Sequence, residues 1–323
     1  MNRFSASICA ALIAAVALCA TAQAQTYPQQ PIRLIVAFGP GSGADAMARV
    51  IAERLALQLK TPVTVENREG AGGVIGASAV AKAPADGYTL HFGVTTMTVT
   101  PHLQAVPAFD PVRDFVPIVK VAELALLMIA GNDAPFKSLK ELIAYAKKNP
   151  GKLNYATSGK GSPSHLGVEM IRKATGIDVR DVPYKNIGQA TTDVIGGQVS
   201  FYFPGITGAA PQVRAGKARG LAVGSVKRSA LAPEVPTVAE ETGIAGLEVI
   251  TWYGLLGPAG LPREIASRLQ AETFKALEVQ EVRERIARTG AEVVLATGEE
   301  FAAQIRSDSA RYEKLVRELG LRE

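Results

Sequence analysis

The chain has 323 residues, of which 47% are hydrophobic and 20% are charged, and its formal charge at pH 7 is +5. This length can bury a large core and favours two domains. The small positive charge is not gathered into a basic patch with interleaved aromatic residues, so nucleic acid is not an expected partner.

The N-terminal segment has the pattern of a secretory signal peptide. Arg3 supplies its positive charge, residues 8–17 form an apolar stretch, and residues 22–24 read Ala-Gln-Ala, a small-x-small cleavage site. The apolar stretch is too short to span a membrane. Cleavage after residue 24 would remove both cysteines (Cys9 and Cys19) and, with Arg3 lost, lower the formal charge from +5 to +4. We therefore predict an exported, soluble protein without disulfides or a thiol nucleophile.

Strands and helices alternate in the segment that follows. Residues 32–38, 63–66 and 88–94 are predicted strands, and residues 45–59 and 74–82 are predicted helices. In the first of these helices apolar residues recur every three or four positions, which indicates one buried face. Strands that alternate with helices are typical of a parallel sheet covered on both faces.

A glycine loop joins the first strand to the first helix. Its sequence, Phe38-Gly-Pro-Gly-Ser-Gly-Ala-Asp45, brings unpaired backbone N–H groups and the positive end of a helix dipole to one place. Such a place favours a bound anion. A second strand, at residues 153–157, is followed by another glycine loop at residues 158–164 and another helical pattern. This repetition predicts two similar α/β lobes whose loops face each other.

The rest of the chain continues the α/β pattern and then becomes mostly helical. Ser138 and Glu141 form a capping box for one helix, and Thr297 and Glu300 cap the last. We expect the C-terminal helices, which begin at Pro262, to pack back on the first lobe. Further strands are predicted at residues 116–121, 124–130, 179–183, 199–203, 219–223 and 247–257.

The first loop also fits another kind of site. Gly41-x-Gly43-x-x-Ala46 matches a loose dinucleotide fingerprint, and Glu66 stands where a ribose-binding acid would. Against this, Pro40 is unusual in that turn and an exported protein meets little NAD. A simpler interpretation is that the glycines only form the turn into the helix. An exported α/β enzyme, dinucleotide-dependent or a hydrolase, stays open as an alternative.

The second loop admits two interpretations. It lacks the Gly-Lys-Ser/Thr ending of a phosphate loop. Ser162 or Ser164 can cap the following helix, with Pro163 in its first turn. A cap and a ligand contact are compatible at this position. Replacing Ser162 with proline removes its amide and should weaken binding roughly tenfold or more.

Residues that could carry catalysis or hold a metal are not arranged for either. The histidines are His91, His102 and His165, and none has metal-ligand spacing with another histidine or a carboxylate. His165 and its neighbour Ser164 cannot face each other on a helix. No Gly-x-Ser-x-Gly element or carboxylate pair stands out. We therefore predict no enzyme activity, no metal and no cofactor.

From residue 27 onward the chain resembles the Bug family, the extracytoplasmic solute receptors of tripartite tricarboxylate transporters. The resemblance rests on short motifs that occur in the family's order over nearly all of this length. They are Ile35-Val-Ala-Phe-Gly-Pro-Gly-Ser-Gly-Ala-Asp45, Val65-Glu-Asn-Arg-Glu-Gly-Ala-Gly-Gly73, Pro84-Ala-Asp-Gly-Tyr-Thr-Leu90, Asp110-Pro-Val-Arg-Asp-Phe-Val-Pro-Ile118, Tyr155-Ala-Thr-Ser-Gly-Lys-Gly-Ser-Pro-Ser-His165, Val182-Pro-Tyr-Lys185, Gly196-Gly-Gln198, Pro233-Glu-Val-Pro-Thr-Val238 and Trp252-Tyr-Gly254.

This resemblance implies an α/β, two-lobed, periplasmic-binding-protein-like fold (Venus flytrap, type II), each lobe a mostly parallel sheet flanked by helices. Residues 25–126 plus 250–323 would form domain 1, and residues 127–249 domain 2, after a signal peptide of residues 1–24. The implied function is a monomeric periplasmic receptor that closes over a small organic anion, usually a carboxylate. Its expected partners are the membrane subunits of a tripartite tricarboxylate transporter, for uptake, or a sensor protein.

The family's ligand-binding positions transfer to this chain residue by residue. The chain departs from the family pattern at Ser42, Ala44, Asn186 and Pro204, so the ligand class is left open. The expected ligand-binding residues are Phe38, Gly41, Ser42, Gly43 and Asp45 in the first loop, Thr95 and Thr96 at the next strand end, Ser158, Gly161, Ser162 and His165 in the facing loop, and Tyr184, Thr191 and Asp193 around the pocket.

Overall fold

The computed structural model describes residues 27–159, 161–184, 186–245 and 247–322. The predicted signal peptide, its cleavage site and both cysteines lie outside these ranges. Within them, no helix combines the length and the apolar character needed to cross a bilayer.

Eleven strands and eleven helices alternate along the described chain. The strands are β1 (Ile32–Val36), β2 (Val63–Asn67), β3 (Thr89–Val94), β4 (Phe115–Ala125), β5 (Leu127–Ala130), β6 (Leu153–Thr157), β7 (Val179–Pro183), β8 (Phe201–Tyr202), β9 (Arg219–Val223), β10 (Ile250–Pro258) and β11 (Glu292–Thr297). The helices are α1 (Gly43–Leu59), α2 (Val74–Ala81), α3 (Thr100–Leu103), α4 (Leu139–Lys148), α5 (Pro163–Thr175), α6 (Ile187–Ile195), α7 (Ile206–Arg214), α8 (Val238–Thr242), α9 (Arg263–Glu278), α10 (Gln280–Ala287) and α11 (Gly298–Glu318). Short 3-10 turns occupy Ala71–Gly73 and Thr95–Thr98.

The strands form two sheets, and both are mixed. The first has the order β11-β4-β10-β3-β1-β2, with β1 parallel to β2 and β3 and the other pairs antiparallel. The second has the order β7-β6-β8-β5-β9, with β6 parallel to β7 and β8 and β5 antiparallel to its neighbours. The predicted α/β, two-lobed fold is confirmed, but the sheets are not mostly parallel. In the first sheet β4 and β10 are antiparallel because β4 carries the chain out of that sheet and β10 carries it back.

The chain passes between the two sheets twice. It leaves the first sheet after Ala125, at the end of β4, and re-enters it at Ile250, the start of β10. The domain boundaries expected from the sequence, at residues 126 and 249, lie in these crossings. We propose on this basis that residues 25–126 plus 250–323 form one domain and residues 127–249 the other.

The C-terminal helix α11 packs on both lobes. Near its start, Phe301 packs edge-on against Trp252 of β10, with ring centroids 4.9 Å apart. Near its end, Tyr312 and Leu315 join the buried core of the second lobe, and Glu318 forms an ion pair with Lys173 of α5. The C-terminal segment therefore packs back on the first lobe as expected from the sequence, and its last turns extend to the second.

His91 lies in β3 and gives the first lobe a defined response to acid. It is 2% exposed, and its Nδ1 lies 3.0 Å from the Ile35 carbonyl oxygen. A carbonyl oxygen can only accept, so Nδ1 carries a proton. Burial lowers the pKa of His91 from 6.5 to about 4, which outweighs the opposite effect of the Ile35 bond.

We expect acid to destabilise the protein through His91. As pH falls from 6.5 toward 4, the unfolded chain takes up a proton at this residue and the folded chain does not. Stability that is complete above pH 6.5 is therefore lost across this window, by roughly 3 kcal/mol. Urea unfolding at several pH values would measure this loss. His91→Gln, which can still donate to Ile35, should flatten the curve relative to the unmodified chain, and an unchanged slope would contradict this explanation.

Candidate functional site

The candidate site lies at one edge of the first sheet. Because β1 and β3 are parallel, the segments that follow them, the glycine loop and the turn at Thr95–Thr98, meet at that edge. Strand β10 runs the other way and places Tyr253 opposite Val94, the last residue of β3. The loop, the turn and Tyr253 are thus brought together by strand register.

The first glycine loop is held in shape by Asp45. This side chain is 4% exposed, and its carboxylate accepts hydrogen bonds from the Gly41 amide (2.9 Å), from Asn67 Nδ2 (2.9 Å) and from Arg49. Burial alone would raise the pKa of Asp45, but the bonds from Arg49, Gly41 and Asn67 lower it below its ordinary value. Asp45 therefore organises the loop from inside.

Ser42 is the N-cap of α1, and its side chain completes this arrangement. The Ser42 Oγ accepts from the Asp45 amide at 3.2 Å, and the Ser42 amide donates to the Gly39 carbonyl oxygen at 3.2 Å. Gly41 has φ +81°, a left-handed conformation that glycine adopts without strain. These bonds fix the conformation of the loop and of the first turn of α1 at the edge of the sheet.

Two backbone amides at the start of α1 are left for a ligand. Within the described ranges, the amides of Gly43 and Ala44 donate to no protein acceptor, whereas those of Gly41, Ser42 and Asp45 do. Unpaired first-turn amides at the positive end of a 17-residue helix favour a bound anion.

Three further first-lobe residues predicted for the site differ from one another in burial and in hydrogen bonding. The Thr95 side chain is buried, and its Oγ1 accepts from the Trp252 amide at 2.7 Å, so it ties the turn to β10. Thr96 beside it is half-buried. Phe38 is half-buried against the core, and its carbonyl oxygen accepts from Asn67 Nδ2 at 2.8 Å.

The second loop is a capping loop, as expected from the sequence. Ser162 is the N-cap of α5, its Oγ accepts from the His165 amide at 3.3 Å, and Pro163 is the first helical residue. Buried Ser164 accepts from the Ser158 amide at 3.2 Å, and its Oγ lies 3.1 Å from Ser162 Oγ. The predicted residues Ser158 and Ser162 are therefore brought together by Ser164, a residue that was not among the predicted contacts.

The amides of this second loop are mostly used within it. Gly161 donates to His165 Nδ1 at 3.3 Å, and Ser162 donates to the Gly159 carbonyl oxygen at 3.2 Å. A proline at Ser162 would therefore break a loop bond as well as remove a donor, and a contact of this amide with the ligand stays a prediction. The Ser164 amide, in the first turn of α5, has no acceptor among the described residues.

Tyr184 precedes α6, and Thr191 and Asp193 lie in the middle and near the end of that helix. The Tyr184 amide donates to the Thr157 carbonyl oxygen at 2.8 Å, which holds it against the end of β6. Its hydroxyl donates to Asp193 Oδ2 at 2.7 Å, and Gln189 donates to the other carboxylate oxygen at 2.6 Å. Thr191 donates to the Ile187 carbonyl oxygen of its own helix at 3.1 Å. These side chains form a local cluster on the second lobe.

The second loop lies against the first-lobe segment that contains α3. A methyl group built on Gly161 would come within 2.6 Å of Leu103 Cδ1. Val99, just before α3, is buried in the second-lobe core. The second loop is therefore positioned at the junction of the lobes, where the first-lobe turn at Thr95–Thr98 also leads.

Tyr253 was not among the residues predicted from the sequence. It lies in the predicted strand at residues 247–257, where alternation gave no reason to separate it from its buried neighbours. A Cβ atom at Gly43 would lie 3.9 Å from the Tyr253 hydroxyl oxygen, so this hydroxyl lies over the first turn of α1. Its position in the Trp252-Tyr-Gly254 motif, which supports the family resemblance, is the sequence feature that could have pointed to Tyr253.

Residues 47–321 match the family described as "Tripartite tricarboxylate transporter family receptor". The chain belongs to this receptor family. The resemblance seen in the sequence is thereby confirmed, and the family's members are solute-binding receptors of the periplasm, not enzymes. In keeping with this, Glu66, the acid of the dinucleotide fingerprint, is bound by Arg33 at 2.7 Å and Arg68 at 2.6 Å. No cluster of metal-ligating side chains occurs in the described part of this receptor.

Three solved structures show the fold that this receptor shares. The periplasmic binding protein BugD is 34% identical, with a TM-score of 0.71 over 92% of this chain and 99% of that one. Rpa4515 of R. palustris with adipate is 31% identical, with a TM-score of 0.73 over 91% and 98% of the chains. MatC from Rhodopseudomonas palustris with bound malate is 31% identical, with a TM-score of 0.71 over 90% and 100%.

Proposed function

We propose that this receptor binds a small organic anion, a carboxylate, in the cleft between its lobes. The observation that carries the proposal is the pair of free amides, Gly43 and Ala44, at the positive end of α1. The similar structures with malate and adipate support a carboxylate as the ligand. A helix N-terminus stabilises an anion by roughly 0.3–1 kcal/mol when exposed and up to about 2 kcal/mol when partly buried.

Binding and closure are coupled in this proposal. The chain crosses between the sheets after β4 and again before β10, so these two crossings are the segments about which the lobes would move. An anion that contacts the start of α1 and the start of α5 together makes both contacts only when the lobes are close. Such a ligand favours the closed state by the difference in its contacts between the two states.

The predicted contact residues enter the proposal in two groups. Residues of the first group contact the ligand through polar atoms of their backbone or side chains. Residues of the second group, Asp45, Thr95 and Asp193, hold the loops and neighbouring side chains in place. The first group comprises Phe38, Gly41, Ser42, Gly43, Thr96, Ser158, Gly161, Ser162, His165, Tyr184 and Thr191.

We further propose the cellular setting. The protein is exported to the periplasm, its signal peptide is cleaved near Ala24, and it works there as a monomer. The bound carboxylate is delivered to the membrane subunits of a tripartite tricarboxylate transporter for uptake, or is reported to a sensor protein. The family to which the chain belongs supports the first of these two partners.

A thermal-shift screen tests the binding proposal. The protein purified from the periplasm of an expression host is heated with malate, adipate, citrate, benzoate, glutamate and the full methyl esters of these acids, which carry no carboxylate. We expect at least one acid to raise the melting temperature at millimolar concentration, because a ligand that binds only the folded state stabilises it. The methyl ester of that acid should not raise the melting temperature. Stabilisation by NAD alone, or by none of the acids, would contradict the proposal.

A further inference from the structure

We propose that the Tyr253 hydroxyl donates a hydrogen bond to the same anion that the start of α1 binds, and so helps to select a carboxylate. This inference rests on the proposed function. It combines two independent observations. The first is the pair of free amides at the start of α1. The second is Tyr253, a residue 7% exposed, whose hydroxyl oxygen lies 3.9 Å from a Cβ position on Gly43 and has no hydrogen-bond partner among the described residues.

The ring of Tyr253 is fixed by packing. The residue is 7% exposed and belongs to the first-lobe core with Ala44 and Met47 of α1. Its ring stacks on Phe92 of β3, with centroids 6.4 Å apart and planes inclined by 25°. Strand pairing to Val94 on one side and to Ala122 on the other holds the backbone. The hydroxyl therefore cannot swing away from the start of α1 without disturbing the core.

The hydroxyl has no hydrogen-bond partner within the described ranges. Buried tyrosine hydroxyls ordinarily find one; among the described residues Tyr155 and Tyr27 have one, whereas the buried Tyr202, like Tyr253, has none. Tyr155 donates to Glu169 at 2.8 Å, and Tyr27 donates to the Gly87 carbonyl oxygen at 2.7 Å. The Tyr253 oxygen instead faces the first turn of α1, within 3.9 Å of a Cβ position on Gly43. A ligand atom bound by the amides of that turn is the acceptor that this geometry supplies.

The three donors together favour one class of ligand group. Burial raises the pKa of Tyr253 to about 12, so the hydroxyl keeps its proton at any physiological pH and can donate. The Gly43 and Ala44 amides also only donate. Arg49, the cation that reaches this loop, is bound to Asp45 and Asn67. A group with several acceptor atoms and no hydrogen of its own, a carboxylate, satisfies all three, and an amine or amide does not.

Tyr253→Phe tests the inference, because it removes the hydroxyl and keeps the ring that packs on Phe92. Calorimetric titration with malate and adipate as probes should show a dissociation constant at least tenfold higher than in the unmodified protein, the range of one hydrogen bond to a charged group. Tyr145→Phe is the matched control. Tyr145 packs on Phe136 in the second lobe, and its loss of a hydroxyl should leave affinity within twofold.

A second readout separates recognition from a general disturbance of the fold. The unmodified protein should bind adipate more tightly than monomethyl adipate, and Tyr253→Phe should lose part of that preference. A general loosening of the fold would instead weaken the binding of adipate and of monomethyl adipate equally. If the unmodified protein binds a carboxylate and Tyr253→Phe binds it as tightly, the inference about Tyr253 is overturned and the receptor function stands. If the unmodified protein binds no carboxylate, the proposed function fails and the inference fails with it.

Discussion

Replacing Gly43 with proline is expected to weaken carboxylate binding at least tenfold while the protein stays folded. Gly43 is the first residue of α1, and its amide donates to no protein acceptor in the described ranges. Proline removes that amide, and a hydrogen bond to a charged ligand is worth about 1.5–3 kcal/mol, or roughly 10- to 150-fold in affinity.

The local backbone tolerates this proline. The first helical position is where proline occurs most often, because the N–H it lacks has no partner within the helix. Ser42 before it has φ −65° and ψ 158°, the extended conformation that a residue preceding proline adopts. The second lobe already has this arrangement, with Pro163 after the cap Ser162. We therefore expect the melting temperature without ligand to change little.

Gly43→Ala is the matched control for the proline variant. It adds a Cβ, which would lie at an ordinary contact distance of 3.9 Å from the Tyr253 hydroxyl, and keeps the amide. Calorimetry should give it an affinity within about threefold of the unmodified protein, since one ordinary van der Waals contact changes binding little. Equal affinity in the proline and alanine variants would show that the Gly43 amide does not bind the ligand.

Asp45→Ala is expected to lower both stability and affinity. The buried carboxylate accepts from Gly41, Asn67 and Arg49, and these donors would lose their acceptor together. Leaving buried donors unpaired costs about 1–3 kcal/mol each, and because Arg49 is half-exposed we expect a total of about 2–4 kcal/mol in urea unfolding. The loop would also lose its shape, so we expect carboxylate affinity to fall at least tenfold.

Glu66→Gln provides the comparison for Asp45. Glu66 lies on the neighbouring strand β2 and binds Arg33 and Arg68, but it is 37% exposed. An exposed ion pair contributes about 0–1 kcal/mol, so this variant should unfold close to the unmodified protein and bind normally. If Asp45→Ala behaved like Glu66→Gln in both assays, the role of Asp45 as the internal support of the loop would be contradicted.

Much of the fold could be predicted because local patterns specify it. The turn-forming residues and the 3.6-residue apolar repeat placed α1 within two residues of its observed start. The caps at Ser138, Ser162 and Thr297 were expected, and each accepts from the amide three residues on. Such contacts join residues close in sequence, so the residue types themselves indicate them.

The missed elements depend on distant partners. Strand β11 is half-buried, and its sequence gave no alternation to separate it from the helices around it; it is a strand because β4 supplies its hydrogen bonds. The mixed character of both sheets was missed for the same reason. Strand direction follows from which strands become neighbours, and a chain that crosses twice between lobes returns antiparallel.

For the candidate site, the sequence by itself determined the two glycine loops, their caps and the helix ends that can hold an anion. Those features follow from backbone chemistry within a few residues. Only the tertiary structure decided which amides stay free, that Asp45 supports its loop from inside, and that Tyr253 faces Gly43. Each of these depends on a side chain that another strand or helix brings close, and no local pattern in the sequence records that proximity.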